Sequence, residues 1–83
     1  MSKANPKYLL AINYALDNKW DYAHNIVKDI NTDTAKLIHA ILHKIEGDEV
    51  NSTYWYSLSG LGKFDLQSDP MNELREIKKK ILL

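Results

Sequence analysis

The stretch that decides the fold occurs twice in this chain. Residues 8–30 read YLLAINYALDNKWDYAHNIVKDI, and residues 37–59 read LIHAILHKIEGDEVNSTYWYSLS. In this alignment Asn18 falls on Gly47, and Asn and Gly are the residues that best tolerate the left-handed conformation that ends a helix. A helix, a stop and a second helix are therefore predicted in each copy. The aligned apolar pairs are Leu9 and Ile38, Ala11 and Ala40, Ile12 and Ile41, and Leu16 and Ile45.

Start signals around the repeat complete the predicted architecture. Asn5 followed by Pro6 is typical of a helix beginning, and Asp69 followed by Pro70 repeats that signal near the other end. No segment alternates apolar and polar residues with the period of a strand. We therefore predict an all-α fold with two antiparallel helical hairpins and a C-terminal helix, in one domain that spans residues 1–83.

Helical spacing of apolar residues predicts which side chains are buried. The fifth predicted helix has an apolar stripe of its own, formed by Met71, Leu74, Ile77 and Ile81. Because this stripe has to be covered, we expect it to mediate self-association. The predicted core is Leu9, Ile12, Leu16, Ala23, Val27, Ile38, Ile41, Leu42, Ile45, Tyr54 and Leu58.

Composition excludes several classes of protein. Eleven basic residues balance eleven acidic ones, so no net positive field attracts nucleic acid or an anionic membrane. Cysteine is absent, which excludes disulfides and thiolate metal sites. No stretch approaches the roughly 20 apolar residues of a membrane span. We expect a cytoplasmic protein without a cofactor that binds neither nucleic acid nor membrane.

The two units resemble short tetratricopeptide repeats. Gly47 and Asp48 supply a corner like the one at the centre of that repeat, and Ser52, Tyr56 and Ser59 fall where the family uses Ala, Phe and Ala. The resemblance implies stacked helical hairpins. The period is shorter than the roughly 34 residues of the family.

A second resemblance covers residues 15–60 and is to small bacterial proteins of uncharacterised function. Ser52, Lys28 and Ser57 depart from that group, where Ala, Gln and a basic residue are usual. This resemblance implies an all-helical fold and brings no activity, substrate or catalytic residue. The matching residues are Trp20, Asp21, Ala23, His24, Ile38, His39, Ala40, Leu42, His43, Glu46, Gly47, Asp48, Asn51, Tyr54, Trp55 and Tyr56.

His39, His43 and Glu46 share one stripe of the third predicted helix, because residues three and four positions apart lie on the same face. Two imidazoles and a carboxylate are ligands for a divalent cation, and His24 or Asp48 could add a fourth. The favoured interpretation is structural, with each histidine hydrogen-bonded to a carboxylate. A partner-binding surface and a metal or proton-transfer site are the alternatives.

We do not expect a tight metal site at this stripe, since such sites usually have three or four oriented ligands and one helix assures only two His and one Glu.

Three consecutive aromatic residues, Tyr54, Trp55 and Tyr56, cannot all lie on one helix face. They are either all buried in a helical stack or include an exposed contact residue. Asn51 is expected to hydrogen-bond the corner before its helix, or else to contact a ligand. The candidate binding surface is formed by His24, His39, His43, Glu46, Asn51 and Trp55.

The function predicted from these patterns is binding of another protein, and a homodimer is one assembly this allows. The partner is not identified by the sequence. The alternative function is a small metal-dependent or histidine-based enzyme that uses the His39, His43 and Glu46 stripe. We predict no catalytic residue, because no nucleophile motif or phosphate-binding glycine loop is present in the sequence.

Overall fold

Five α-helices make up the regular structure of residues 5–83, the part of the chain that this computed structural model describes. No strand occurs in that range, which confirms the all-α prediction. No helix among these residues combines the length and the hydrophobicity needed to cross a bilayer. The helices are α1 (Pro6–Leu16), α2 (Trp20–Val27), α3 (Asp33–Ile45), α4 (Glu49–Ser59) and α5 (Pro70–Leu82).

Polar side chains begin four of the five helices, two of them at the start signals predicted from the sequence, Asn5 and Asp69. Each accepts a hydrogen bond from a backbone N–H in the first turn, which has no partner inside the helix. α2 is the exception, since Lys19 makes no side-chain cap bond. The capping residues are Asn5 for α1, Thr32 for α3, Asp48 for α4 and Asp69 for α5.

Both predicted corners have the left-handed backbone that the repeat implies. Asn18 has a φ of 60° and Gly47 a φ of 84°, and Gly60, with a φ of 67°, ends α4 in the same way. α1 packs on α2 and α3 packs on α4 across these short corners, and α3 also contacts α1, α2 and α5. α3 is therefore the central helix of the fold.

The buried core is centred on α3. Ile38, Ile41 and Leu42 are almost wholly shielded from solvent, as predicted. Ile12, Ala23 and Val27 from the first unit are also buried, whereas Leu9, Leu16 and Ile45 are only partly covered. Burial of these side chains supplies the apolar contribution to stability that joins the two units.

Our prediction of which face of α4 is buried is wrong. Tyr54 and Leu58 are 55% and 42% exposed, and Val50 on the same stripe is 81% exposed. The inward face instead consists of smaller or polar-tipped side chains, and the Ser52 hydroxyl donates to the Ala40 carbonyl oxygen at 2.7 Å. A small residue at this contact lets the two helices approach closely, so the large apolar side chains of α4 lie outside.

The apolar stripe of α5 is covered largely by the chain itself. Leu74 and Ile77 are buried, and Met71 and Ile81 pack against the core from its edge. α5 contacts α1 and α3. The surface that we expected to mediate self-association therefore lies mostly inside the fold.

A buried polar network that was not predicted from the sequence also holds α5 against the rest of the fold. The Lys44 ammonium, whose side chain is 6% exposed, donates to Glu73 Oε2 at 2.7 Å and to Ser68 Oγ at 3.1 Å. The Tyr56 hydroxyl donates to the other oxygen of Glu73. Burial, together with this bonded carboxylate, raises the pKa of Tyr56.

Candidate functional site

All three histidines of the chain meet where α2 packs on α3. His24 comes from α2, and His39 and His43 come from successive turns of α3. Their ring centroids are 4.7 Å apart for His24 and His39, 4.8 Å for His39 and His43, and 5.4 Å for His24 and His43. One ring nitrogen from each lies within 4.8 Å of the other two. We call these three residues the histidine cluster.

Two members of the histidine cluster are hydrogen-bonded to each other. The Nε2 atoms of His24 and His39 are 3.1 Å apart. One nitrogen donates a proton and the other accepts it, an arrangement that suits two neutral imidazoles. His39 and His43 are 5% and 9% exposed, and His24 is half-buried. Solvent therefore reaches the cluster mainly from the side of α2.

Two indole rings stack on the histidine cluster. Trp55 of α4 lies on His39 with ring centroids 4.0 Å apart, and Trp20 lies on His24 with centroids 4.7 Å apart. Trp20 and His24 share a face of α2 because they are four residues apart. The Trp20 indole N–H donates to the Leu42 carbonyl oxygen at 2.6 Å, which fixes that ring against α3.

A carboxylate orients the third histidine. His43 Nδ1 lies 2.5 Å from Glu46 Oε1, three residues along the chain. The Nδ1–H group of His43 donates a hydrogen bond to Glu46. In a neutral ring with that tautomer, the Nε2 atom carries the lone pair. This is the histidine–carboxylate bond expected from the sequence for His43. The carboxylate bond also expected for His39 is wrong, because His39 is hydrogen-bonded to His24 instead.

Burial and repulsion from neighbouring imidazoles hold His24 and His39 in their neutral forms. The pKa of His39 is lowered to about 4, first because burial disfavours the charged ring and then because His24 and His43 lie close to it. The pKa of His24 is lowered as well, mainly by burial and next by His43. At neutral pH these two rings can therefore offer lone pairs or exchange a proton.

Asn51 lies apart from the histidine cluster, at the corner before α4. Its side-chain amide donates to Asp48 Oδ2 at 2.7 Å and its backbone N–H to Asp48 Oδ1 at 3.1 Å. These two bonds lower the pKa of Asp48. Nitrogen and oxygen atoms of His43, Glu46 and Asp48 also lie within 4.8 Å of one another.

The structure thus brings together four of the six residues of the predicted binding surface, His24, His39, His43 and Trp55. Glu46 is attached through His43, and Asn51 is separate. Trp20 belongs to the site although it was not among the residues predicted from the sequence. Its spacing of four from His24 is the signal that would have placed it there.

No family model, no curated protein and no solved structure matches this chain. The resemblance to tetratricopeptide repeats and to the small bacterial proteins therefore stays a prediction. A function for the chain has to be derived from its own residues and their geometry.

Proposed function

We propose that this chain is a small helical protein–protein interaction module that pairs with a second copy of itself through the outward face of α4. The observation that carries the proposal is the exposed stripe of Val50, Tyr54 and Leu58, spaced four residues apart. Isolated exposed apolar residues are common, but a row of them along one helix face is typical of a contact surface.

The chemistry of α4 favours a second copy as the occupant. Residues 50–59 contain no charged side chain. A twofold axis places the same stripe on both sides of the contact, so an uncharged apolar face meets its equal without charge repulsion. Glu49, in the first turn, is the one charged residue of α4, so a strongly acidic or basic partner would find no complementary charge along the stripe itself.

The small size of the stripe sets the expected strength of pairing. α4 has 11 residues and is about 16 Å long. We expect a contact confined to one helix of that length to bury less surface than the roughly 1,200 Å² typical of stable complexes. We therefore expect a reversible dimer whose population rises with protein concentration.

The predicted repeat character supports the same surface. Helical hairpin units bury both of their faces only when neighbours stack on them. α4 presents Ser52, Tyr56 and Ser59 to the chain and leaves its opposite face uncovered. In a tetratricopeptide-like arrangement that face is where another unit would stack, and a second copy takes that place here.

Sedimentation equilibrium over a concentration series tests the proposal. The wild-type protein should shift from 9.6 kDa toward twice that mass as concentration rises, and Tyr54→Lys should remain monomeric. Leu66→Lys is the matched control, because Leu66 is also exposed but lies outside α4. A wild-type monomer at millimolar concentration, or equal dimerisation of Tyr54→Lys, would refute the proposed surface.

The alternative function is a metal-dependent or histidine-based enzyme at the predicted His39, His43 and Glu46 stripe. The observation in its favour is that His24 joins His39 and His43 from a second helix. Glu46 accepts a hydrogen bond from His43, so its role in such an enzyme would be to orient that ring. Binding of an ion would not by itself establish a reaction, so the interaction module remains the primary proposal.

A further inference from the structure

We infer that His24, His39 and His43 form a binding site for a divalent transition-metal ion, with Zn²⁺ the best match to three imidazole ligands. The inference stands independently of the proposed dimer, because it depends on α2 and α3 and not on the outward face of α4. Our expectation from the sequence, that no tight metal site forms, depended on the two His and one Glu that one helix assures, with His24 or Asp48 as a further ligand that the sequence could not place. The third imidazole comes from α2.

The spacing of the ring nitrogens is close to what a metal requires. Nitrogen ligands lie 2.0–2.1 Å from zinc, so two ligands of a tetrahedral site are roughly 3.3 Å apart. The Nε2 atoms of His24 and His39 are 3.1 Å apart. One ring nitrogen of His43 lies within 4.8 Å of a ring nitrogen of each of the other two histidines, so side-chain rotation has to bring the rings nearer by about 1.5 Å.

Neighbouring groups orient the proposed ligands. Metal-binding histidines commonly donate their second ring N–H to a carboxylate, which fixes the ring and raises its basicity. Glu46 occupies that position on His43. Trp55 and Trp20 restrain the rings of His39 and His24 by stacking on them. Each of the three imidazoles is therefore held by a group outside the set of ligands.

The protonation state of the histidine cluster suits a metal. A histidine binds metal through a neutral ring, and protons compete with the ion when the ring is charged. The hydrogen bond between the Nε2 atoms of His24 and His39 suits two neutral rings, so the nitrogen that accepts it already directs a lone pair into the site. The ring that donates the His24–His39 hydrogen bond presents Nε2 to the ion by moving its proton to Nδ1, and it stays neutral.

A competing set of ligands at the corner, His43, Glu46 and Asp48, is less suited to the ion. The carboxylate of Asp48 already accepts two hydrogen bonds from Asn51, and Glu46 accepts one from His43. Three histidine ligands with a fourth position left to water are an established arrangement of open zinc sites. The geometry therefore favours the histidine cluster over the corner.

The test is a Zn²⁺ titration of the chelator-treated full chain by calorimetry, with Co²⁺ as a visible-absorption probe of tetrahedral geometry. We expect one ion per chain and a melting temperature that rises with added Zn²⁺. His24→Gln, which changes the least buried ligand, should weaken binding at least tenfold. Glu46→Gln should weaken it by roughly 10- to 100-fold. The matched control Glu49→Gln removes a nearby exposed carboxylate and should bind as the wild type does.

Two results would overturn the site: a wild-type chain that binds no Zn²⁺, or a His24→Gln variant that binds it with unchanged affinity. Circular dichroism of each variant checks that helix content is kept. Imidazole NMR provides a second measurement, because the three histidines of the chain are all in the cluster and their ring signals should shift together on binding. Tyr54→Lys should bind Zn²⁺ normally, which separates failure of this site from failure of the proposed dimer.

Discussion

The indole ring of Trp55 lies nearly parallel to the imidazole ring of His39, with an interplanar angle of 18°. The contact joins the exposed helix α4 to the most deeply buried histidine of α3. Since Trp20 stacks on His24 in the same way, both tryptophans of the chain touch the histidine cluster. Tryptophan fluorescence should therefore report on the state of these histidines.

Acidification should destabilise the metal-free protein through His39. Its pKa is about 4 in the fold against 6.5 in the unfolded chain, so between these values the unfolded state binds the proton and the folded state does not. The contribution of His39 to the free energy of unfolding is fully present above pH 6.5 and is lost as pH falls toward 4. The loss is about 3 kcal/mol at most. His24 and His43 face this ring, and because the pKa of His24 is lowered as well, the charging of His24 adds to the loss.

Urea unfolding with a chelator at several pH values measures this loss, with His39→Gln as the comparison. Carboxylates shared by both proteins cancel in the difference between their curves. If the wild type and His39→Gln lose stability in parallel between pH 6.5 and 4, His39 is not the responsible group.

Truncation of Ile41 to Ala should lower the free energy of unfolding by about 2–4 kcal/mol, because Ile41 is 1% exposed in the centre of the core. The control is Leu66→Ala, which shortens an exposed residue outside the proposed dimer surface and should change the free energy of unfolding by less than about 0.5 kcal/mol. Thermal unfolding of both variants gives the comparison. Equal effects would mean that the buried face of α3 is assigned incorrectly.

Removal of Glu73 should be costly because it leaves the Lys44 ammonium buried without a carboxylate. Loss of one partner from a buried ion pair typically costs about 3–5 kcal/mol, and we expect Glu73→Ala to fall near the lower end because Ser68 still accepts from Lys44. Glu76→Ala breaks the exposed pair with Lys79 and should cost under about 1 kcal/mol. Hydrogen exchange should show α5 opening first in Glu73→Ala.

Two serines of α4 test which of its faces is buried. Ser52 is completely buried against α3, and Ser57 is exposed. Ser52→Leu should overpack the close contact between the helices and destabilise the protein by about 1–3 kcal/mol, whereas Ser57→Leu should be nearly neutral. The reverse order in chemical denaturation would restore the apolar stripe of α4 to the core.

Local signals in the sequence were sufficient to predict the helices. Asn5, Thr32, Asp48 and Asp69 are capping residues whose effect depends only on neighbouring backbone, and the stop at Gly47 depends on its own conformation. These features are visible without knowledge of tertiary packing.

The inward face of α4 and the full site were not predictable in the same way. Hydrophobic spacing favours Tyr54 and Leu58 as core, but the distance between α3 and α4 selects Ser52 instead. His24 and His39 are 15 residues apart, and their contact depends on how α2 is rotated against α3. The Lys44–Glu73 pair spans 29 residues and depends on where α5 docks.

The docking of α5 on α1 and α3 has a consequence for how the chain folds during synthesis. α5 leaves the ribosome after α1 to α4, yet it packs on α1 of the first helix pair and on α3 of the second. Its Glu73 also supplies the carboxylate for Lys44. Without α5, the core between α1 and α4 would stay partly exposed to solvent. In long repeat arrays, by contrast, each added repeat contributes stability through its contact with the previous one. Native packing should therefore be acquired in a single late step, once residues 65–82 have emerged.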